Sequence, residues 1–240
     1  MRNGILLIAA LLLIWQGLYA FAGAHALAPP LDTVLYLGKL LGTARFWEHL
    51  LETGRAFGVA LALSALLGLG IGLPFGLNRL AGEIAEPLLV SAYAVPKIVL
   101  FPIVLLIFGI GLPAKIAFGA IHGIIPIAIF AMAGVRQINP VLLRTALVLR
   151  LGRAETLRRI VWPAALPEIF SGLRIGFSLT LIGTLLGEMF GSQKGLGFLL
   201  MNAIGLQNIP VIMAVTLLLV LFAATLSTVL LALDRRLHRG

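Results

Sequence analysis

Six stretches of about twenty residues, nearly free of charge, dominate this chain: residues 4–24, 55–77, 86–108, 114–135, 169–189 and 211–233. At a rise of about 1.5 Å per residue, roughly 20 apolar residues in a helix cross a hydrocarbon core about 30 Å thick. A helix satisfies its own backbone hydrogen bonds in lipid, and these runs are too long and too continuously apolar for barrel strands. The expected fold is an all-α integral membrane protein with six transmembrane helices. Composition agrees: 11% of the 240 residues are charged, against about 25% in an ordinary soluble domain, and the mean hydropathy is +1.09.

Eighteen Lys and Arg oppose nine Asp and Glu, a net charge of +9. In a soluble protein that would suggest nucleic acid. In a membrane protein it records orientation, because basic residues collect on cytoplasmic loops. With the amino terminus inside, the inner segments hold eleven basic residues: Arg2, Arg79, Arg136, Arg144, Arg150, Arg153, Arg158, Arg159, Arg235, Arg236 and Arg239. The outer segments hold Lys39, Arg45 and Lys194, so both termini are expected in the cytoplasm. Arg2, an apolar core and the small residues of 22–26 also suit a secretory signal, but that core exceeds the roughly 7–15 residues usual for one, which favours a retained span. Residues 1–54 then form a first helix and a periplasmic loop, and 55–240 a five-helix core holding the cytoplasmic loop 136–168.

Several chemistries lack their parts. There is no cysteine, and the only Gly-Lys pair, Gly38-Lys39, precedes Leu40, so no phosphate loop is encoded. His25, His49, His122 and His238 stand singly, without metal-ligand spacing, and Ser178 has no histidine after it except in the tail. Catalysis is not expected, nor any cofactor or metal held by this chain. Ionisable residues inside spans usually face a pathway or a partner, which singles out Lys97, next to Pro96, and Glu188, although interfacial solvation would also account for Glu188. Small residues at Gly172, Gly176, Gly183 and Gly187 would let another helix approach closely, in this chain or in a second copy. The pentapeptide Gly-Ile-Gly-Leu-Pro at 70–74 recurs at 109–113 with unrelated flanks, so no internal repeat is read.

The loop 136–168 carries six arginines, a helical run over 141–162, and Pro163 and Pro167, expected to stop that helix. A surface helix braced between two spans suits docking of a soluble partner; an arginine helix resting on anionic membrane lipid is the alternative. From about residue 86 onward the chain resembles the inner-membrane permease subunits of bacterial ABC importers, in the branch handling nitrate, sulfonates, taurine and thiamine-precursor pyrimidines. The resemblance is densest at Ala94-Val95-Pro96-Lys97, Phe108-Gly109-Ile110-Gly111, Trp162-Pro163-Ala164-Ala165-Leu166-Pro167, Gly172-Leu173-Arg174, Gly187-Glu188-Met189-Phe190-Gly191 and Gly195-Leu196-Gly197.

That family's cytoplasmic loop reads Glu-Ala-Ala, three residues, Gly, and later an aliphatic residue followed after two residues by Pro. Counted back from Pro163 without a gap, the glycine position falls on Arg150, the glutamate position on Arg144, the second alanine on Ala146 and the aliphatic on Ile160. Alignment on Gly152 instead needs a two-residue deletion and puts Ala146 at the glutamate position. The resemblance implies a type I importer permease of the inner membrane that works as two copies. An ATPase subunit, which binds ATP and magnesium, would dock on the loop through Arg144, Arg150 and Arg153, and a periplasmic binding protein would deliver a small anionic or heterocyclic solute. The rivals are an ion-coupled secondary transporter, which needs a midplane carboxylate or histidine relay, and a non-transporting membrane assembly protein.

Overall fold

The computed structural model describes residues 2–237, with side chains over 6–152 and 154–232; the side chains of Arg153, Arg235, Arg236, His238 and Arg239 lie outside the described residues. The described residues are helical: α1 (Arg2–Ala22), α2 (Pro30–Leu41), α3 (Ala44–Leu77), α4 (Arg79–Ala94), α5 (Phe101–Phe108), α6 (Leu112–Arg136), α7 (Pro140–Val148), α8 (Arg153–Thr156), α9 (Trp162–Gly191), α10 (Leu196–Gly205) and α11 (Ile209–Leu237). Among them four are long and apolar enough to cross a membrane: α3, α6, α11 and the continuous helix Ala154–Gly191 that contains α9. Counted as one broken span, a bent pair of helices makes a fifth. α4 and the stretch Lys97–Phe108 meet at 85°, where Pro96 denies the chain an amide and holds Val95 extended.

α6 is the hub, packed between α3 and α9. Small residues let the three backbones close on one another. A Cβ added at Gly187 of α9 would stand 2.9 Å from Lys115 Cα of α6, and one at Gly172 would stand 2.6 Å from Phe130 Cβ. The stripe Gly172, Gly176, Gly183, Gly187 thus faces α6 of the same chain, which corrects the idea that it receives a second copy. A second stripe, Gly68, Gly72 and Gly76 of α3, meets Ile127, Ala128 and Val135 of α6 in the same way. At the centre the Ser64 hydroxyl lies 3.0 Å from that of Thr180 and donates to Ala60 C=O, a hydrogen-bonded tie between α3 and α9 of the kind worth about 0.6 kcal/mol on average between membrane helices.

Two expectations fail here. Residues 24–54, read as loop, are mostly helical, because α2 and the first turns of α3 are amphipathic pieces whose charges (Asp32, Lys39, Arg45, Glu48) hide them from a test of span-length hydropathy. The loop helix expected over 141–162 is instead two helices, α7 and the start of Ala154–Gly191, separated at 149–152. Pro163 and Pro167 do not stop the second one. It makes a π turn over Leu157–Val161, where Trp162 N–H reaches Leu157 C=O, which accommodates Pro163, while Pro167 sits inside the α-helix that follows.

Candidate functional site

Three places along the bundle carry the polar groups. At the end remote from the arginine-rich loop, Lys115 in the first turn of α6 and Glu188 in the last turn of α9 are both wholly buried, with Lys115 Nζ 3.3 Å from Glu188 Oε1 and 3.0 Å from Glu52 Oε1 of α3. Interfacial solvation is therefore not the role of Glu188. Its carboxylate also accepts from the Thr53 hydroxyl at 2.8 Å and from Gly197 N–H at 3.0 Å. Taking these charges out of water is costly, and the hydrogen bonds from Thr53 and Gly197 offset part of that cost.

The same residues fasten the turn between α9 and α10. Gly195 N–H donates to His49 Nδ1 at 3.1 Å, Leu196 N–H to the Thr53 hydroxyl at 2.8 Å, and Lys115 Nζ to Lys194 C=O at 3.2 Å. Gly195 has φ +118°, and a Cβ on it would run into the Glu188 carboxyl. Three helices and one turn are thus locked by a single network. Sequence reading flagged Glu188 but missed Lys115, Glu52, Thr53 and His49. The available signal was that Lys115 opens one span and Glu188 closes the next, so both stand at one end of the bundle.

The second is the break between α4 and Lys97, which leaves the last carbonyls of α4 without helical partners. Lys97 Nζ donates to one of them, Tyr93 C=O, at 3.0 Å and lies 5.0 Å from the Tyr93 ring centroid, a cation placed where the helix end is negative. Tyr93 also borders a cavity of about 270 Å³ with Arg174, Ser178 and Ser227, which has no carboxylate among its lining residues. Lys97 and Glu188 are therefore in different places: Lys97 at the break, Glu188 in the lock. Among the described residues no cluster of His, Asp and Glu could hold a metal.

The arginine-rich loop is the third. α7 is capped by Asn139, whose Oδ1 accepts from Val141 N–H at 2.9 Å, and it ends in a reversal in which Arg150 N–H donates to Leu147 C=O and Leu151 N–H to Ala146 C=O, both at 3.0 Å. That is the helix stop that normally requires glycine just past the last turn. Here Arg150 fills it, at φ +54°. Gly152 does not take that conformation. Ala146 is buried, Ile160 half-buried, and Arg144, Arg150, Gly152 and Pro163 are exposed. Leu147, Val148 and Leu149 are exposed as well, at 78%, 82% and 62%.

Comparison with known proteins agrees with this geometry. The family model for the binding-protein-dependent transport system inner membrane component matches residues 64–240. The taurine transport system permease protein of Escherichia coli is 31% identical over 88% of this chain and 78% of its own. A bicarbonate transport system permease protein of Synechococcus elongatus is 32% identical over 84% and 78%. The crystal structure of an amino acid ABC transporter superposes with a TM-score of 0.65 at 21% identity, covering 84% of this chain and 98% of that one, which shows a shared fold. The chain accordingly belongs to the inner membrane components of binding-protein-dependent transport systems, as a permease with the type I ABC importer fold.

Proposed function

We propose that this permease forms the translocation pathway of an ATP-driven importer for a small oxyanion, working as two copies with two ATPase subunits and a periplasmic binding protein. Its part is conduction and not catalysis, and ATP and magnesium belong to the ATPases. The observation that carries the coupling half of this reading is the loop surface. Leu147, Val148 and Leu149 protrude beside Arg144 and Arg150, an apolar and basic face that nothing among the described residues covers. ATP-driven closure of the ATPases would bring two such loops together and swing the spans about the α3–α6–α9 core.

The solute class rests on the cavity beside Tyr93. Tyr93 and Ser227 bring hydroxyls to its lining, and Lys97 adds a cation beside Tyr93. Ionisable groups inside spans mark pathways, and a broken helix at mid-membrane is where transporters place their solute. Taurine carries a sulfonate and bicarbonate is an oxyanion, so the names of the two relatives fit the same chemistry. In this reading α1 is a sixth crossing, both termini are cytoplasmic, and the lock around Glu188 faces the periplasm. The test is uptake of radiolabelled taurine and bicarbonate by vesicles holding the permease, its ATPase and its binding protein. ATP-dependent accumulation of either supports the proposal; uptake driven by an ion gradient without ATP refutes it.

A further inference from the structure

α3 is longer than a bilayer requires. Its thirty-four residues extend about 51 Å at 1.5 Å per residue, against a hydrocarbon core of about 30 Å. Counted from Leu77, beside the exposed Arg79, the far boundary falls about 33 Å away, at Arg55. α6 gives the same level independently, since Lys115 stands about 32 Å from Arg136 along that helix. Arg55 therefore lies at the junction of hydrocarbon and headgroups, on the side of the Glu188 lock.

Arg55 is exposed and, among the described residues, has no ion pair or hydrogen bond. Glu52, three residues earlier on the same helix, is turned to Lys115 instead. Arg55 borders a cavity of about 620 Å³ whose walls are otherwise almost wholly apolar: Phe57 of α3, Leu181 of α9, Leu196 of α10, and Leu218 and Phe222 of α11. Gly54 leaves the rim open, with no atom within 4 Å of an added Cβ. An arginine at headgroup depth over an apolar slot running down between helices matches one ligand in charge and in shape. Its guanidinium suits a phosphate bidentately, and the slot suits a hydrocarbon tail.

We infer that this cavity is a binding site for an anionic glycerophospholipid, its phosphate on Arg55 and one acyl chain between α3, α9 and α11. Thr53 and Leu196 border the cavity and also belong to the lock, so the lipid seats against the turn that leads into α10. The site does not depend on which solute the permease carries or on its ATPase.

Native mass spectrometry of the purified full-length permease, exchanged into phosphatidylcholine nanodiscs with and without phosphatidylglycerol, tests it. The parent should retain phosphatidylglycerol in preference to phosphatidylcholine. Arg55→Gln should reduce that occupancy roughly tenfold, the loss of one charge-assisted contact, whereas Arg45→Gln, exposed on the same helix, should not. Gly54→Phe, which fills the slot while keeping the arginine, should also displace the lipid. Equal retention by the parent and Arg55→Gln overturns the proposal. So does a disulfide between cysteines at Leu12 and Phe222 of two copies, which would put α1 of a second copy in the slot.

Discussion

Leu151 N–H donates to Ala146 C=O at 3.0 Å across Arg150, whose φ of +54° completes a glycine-type helix stop with an arginine. A non-glycine residue in that conformation costs roughly 1 kcal/mol or more relative to glycine. Arg150→Gly should therefore raise the unfolding free energy by about 1 kcal/mol, and Arg150→Val should lower it by at least as much, since β-branching aggravates the clash. Thermal unfolding in detergent checks both; equal melting temperatures for the two variants would contradict the geometry.

The ion network around Lys115 is asymmetric. Removing Glu188 leaves Glu52 as a partner, while removing Lys115 leaves two carboxylates facing each other. Lys115→Met should therefore destabilise more than Glu188→Gln, by about 3–5 kcal/mol for an unpaired buried charge. The double variant should be less damaged than Lys115→Met alone. A double-mutant cycle on unfolding midpoints measures this.

Packing of α9 on α6 makes Gly187 sensitive. Gly187→Ala places a methyl 2.9 Å from the Lys115 backbone and should cost about 1–3 kcal/mol. Gly38→Ala in α2, where an added Cβ meets nothing within 4 Å, should be neutral or stabilising. Both read out as the yield of folded protein, and neither should alter dimerisation of what folds.

The proposed orientation rests on the charge asymmetry and has its own test. In this cysteine-free chain, cysteines at Arg158 and Gln193 should react with an impermeant thiol reagent from opposite sides, Gln193 from the periplasm. Labelling of both from the periplasm would contradict the topology.

What was legible in the sequence follows the range of the signal. Hydropathy over twenty residues marks α3, α6, α9 and α11, because burial in lipid is a property of each helix by itself. The register of α6 between two glycine stripes is a property of pairs, and the stripe on α9 could be read but not assigned to its partner. Identical local sequence is no guide to local shape: Gly-Ile-Gly-Leu-Pro is helical at 70–74 inside α3, whereas at 109–113 Gly109 and Gly111 take φ +71° and +128° and Gly111 N–H bonds Gly191 C=O at 2.9 Å. The network around Glu188 draws on positions 49, 52, 53, 115, 195 and 197, of which 53, 115 and 197 touch its carboxylate, and no spacing rule joins residues so scattered.

The central claim is that the loop engages a separate motor, and it is tested most directly by ATP-dependent solute uptake measured on loop variants. Arg144→Glu and Leu147→Glu, both on the exposed face of α7, should leave the permease inserted while lowering uptake and recovery of the ATPase roughly tenfold or more, the loss of a central interface contact. Arg239→Glu in the tail should leave both unchanged. Full uptake with undiminished ATPase recovery in the two α7 variants would mean that this face rests on lipid and that coupling lies elsewhere.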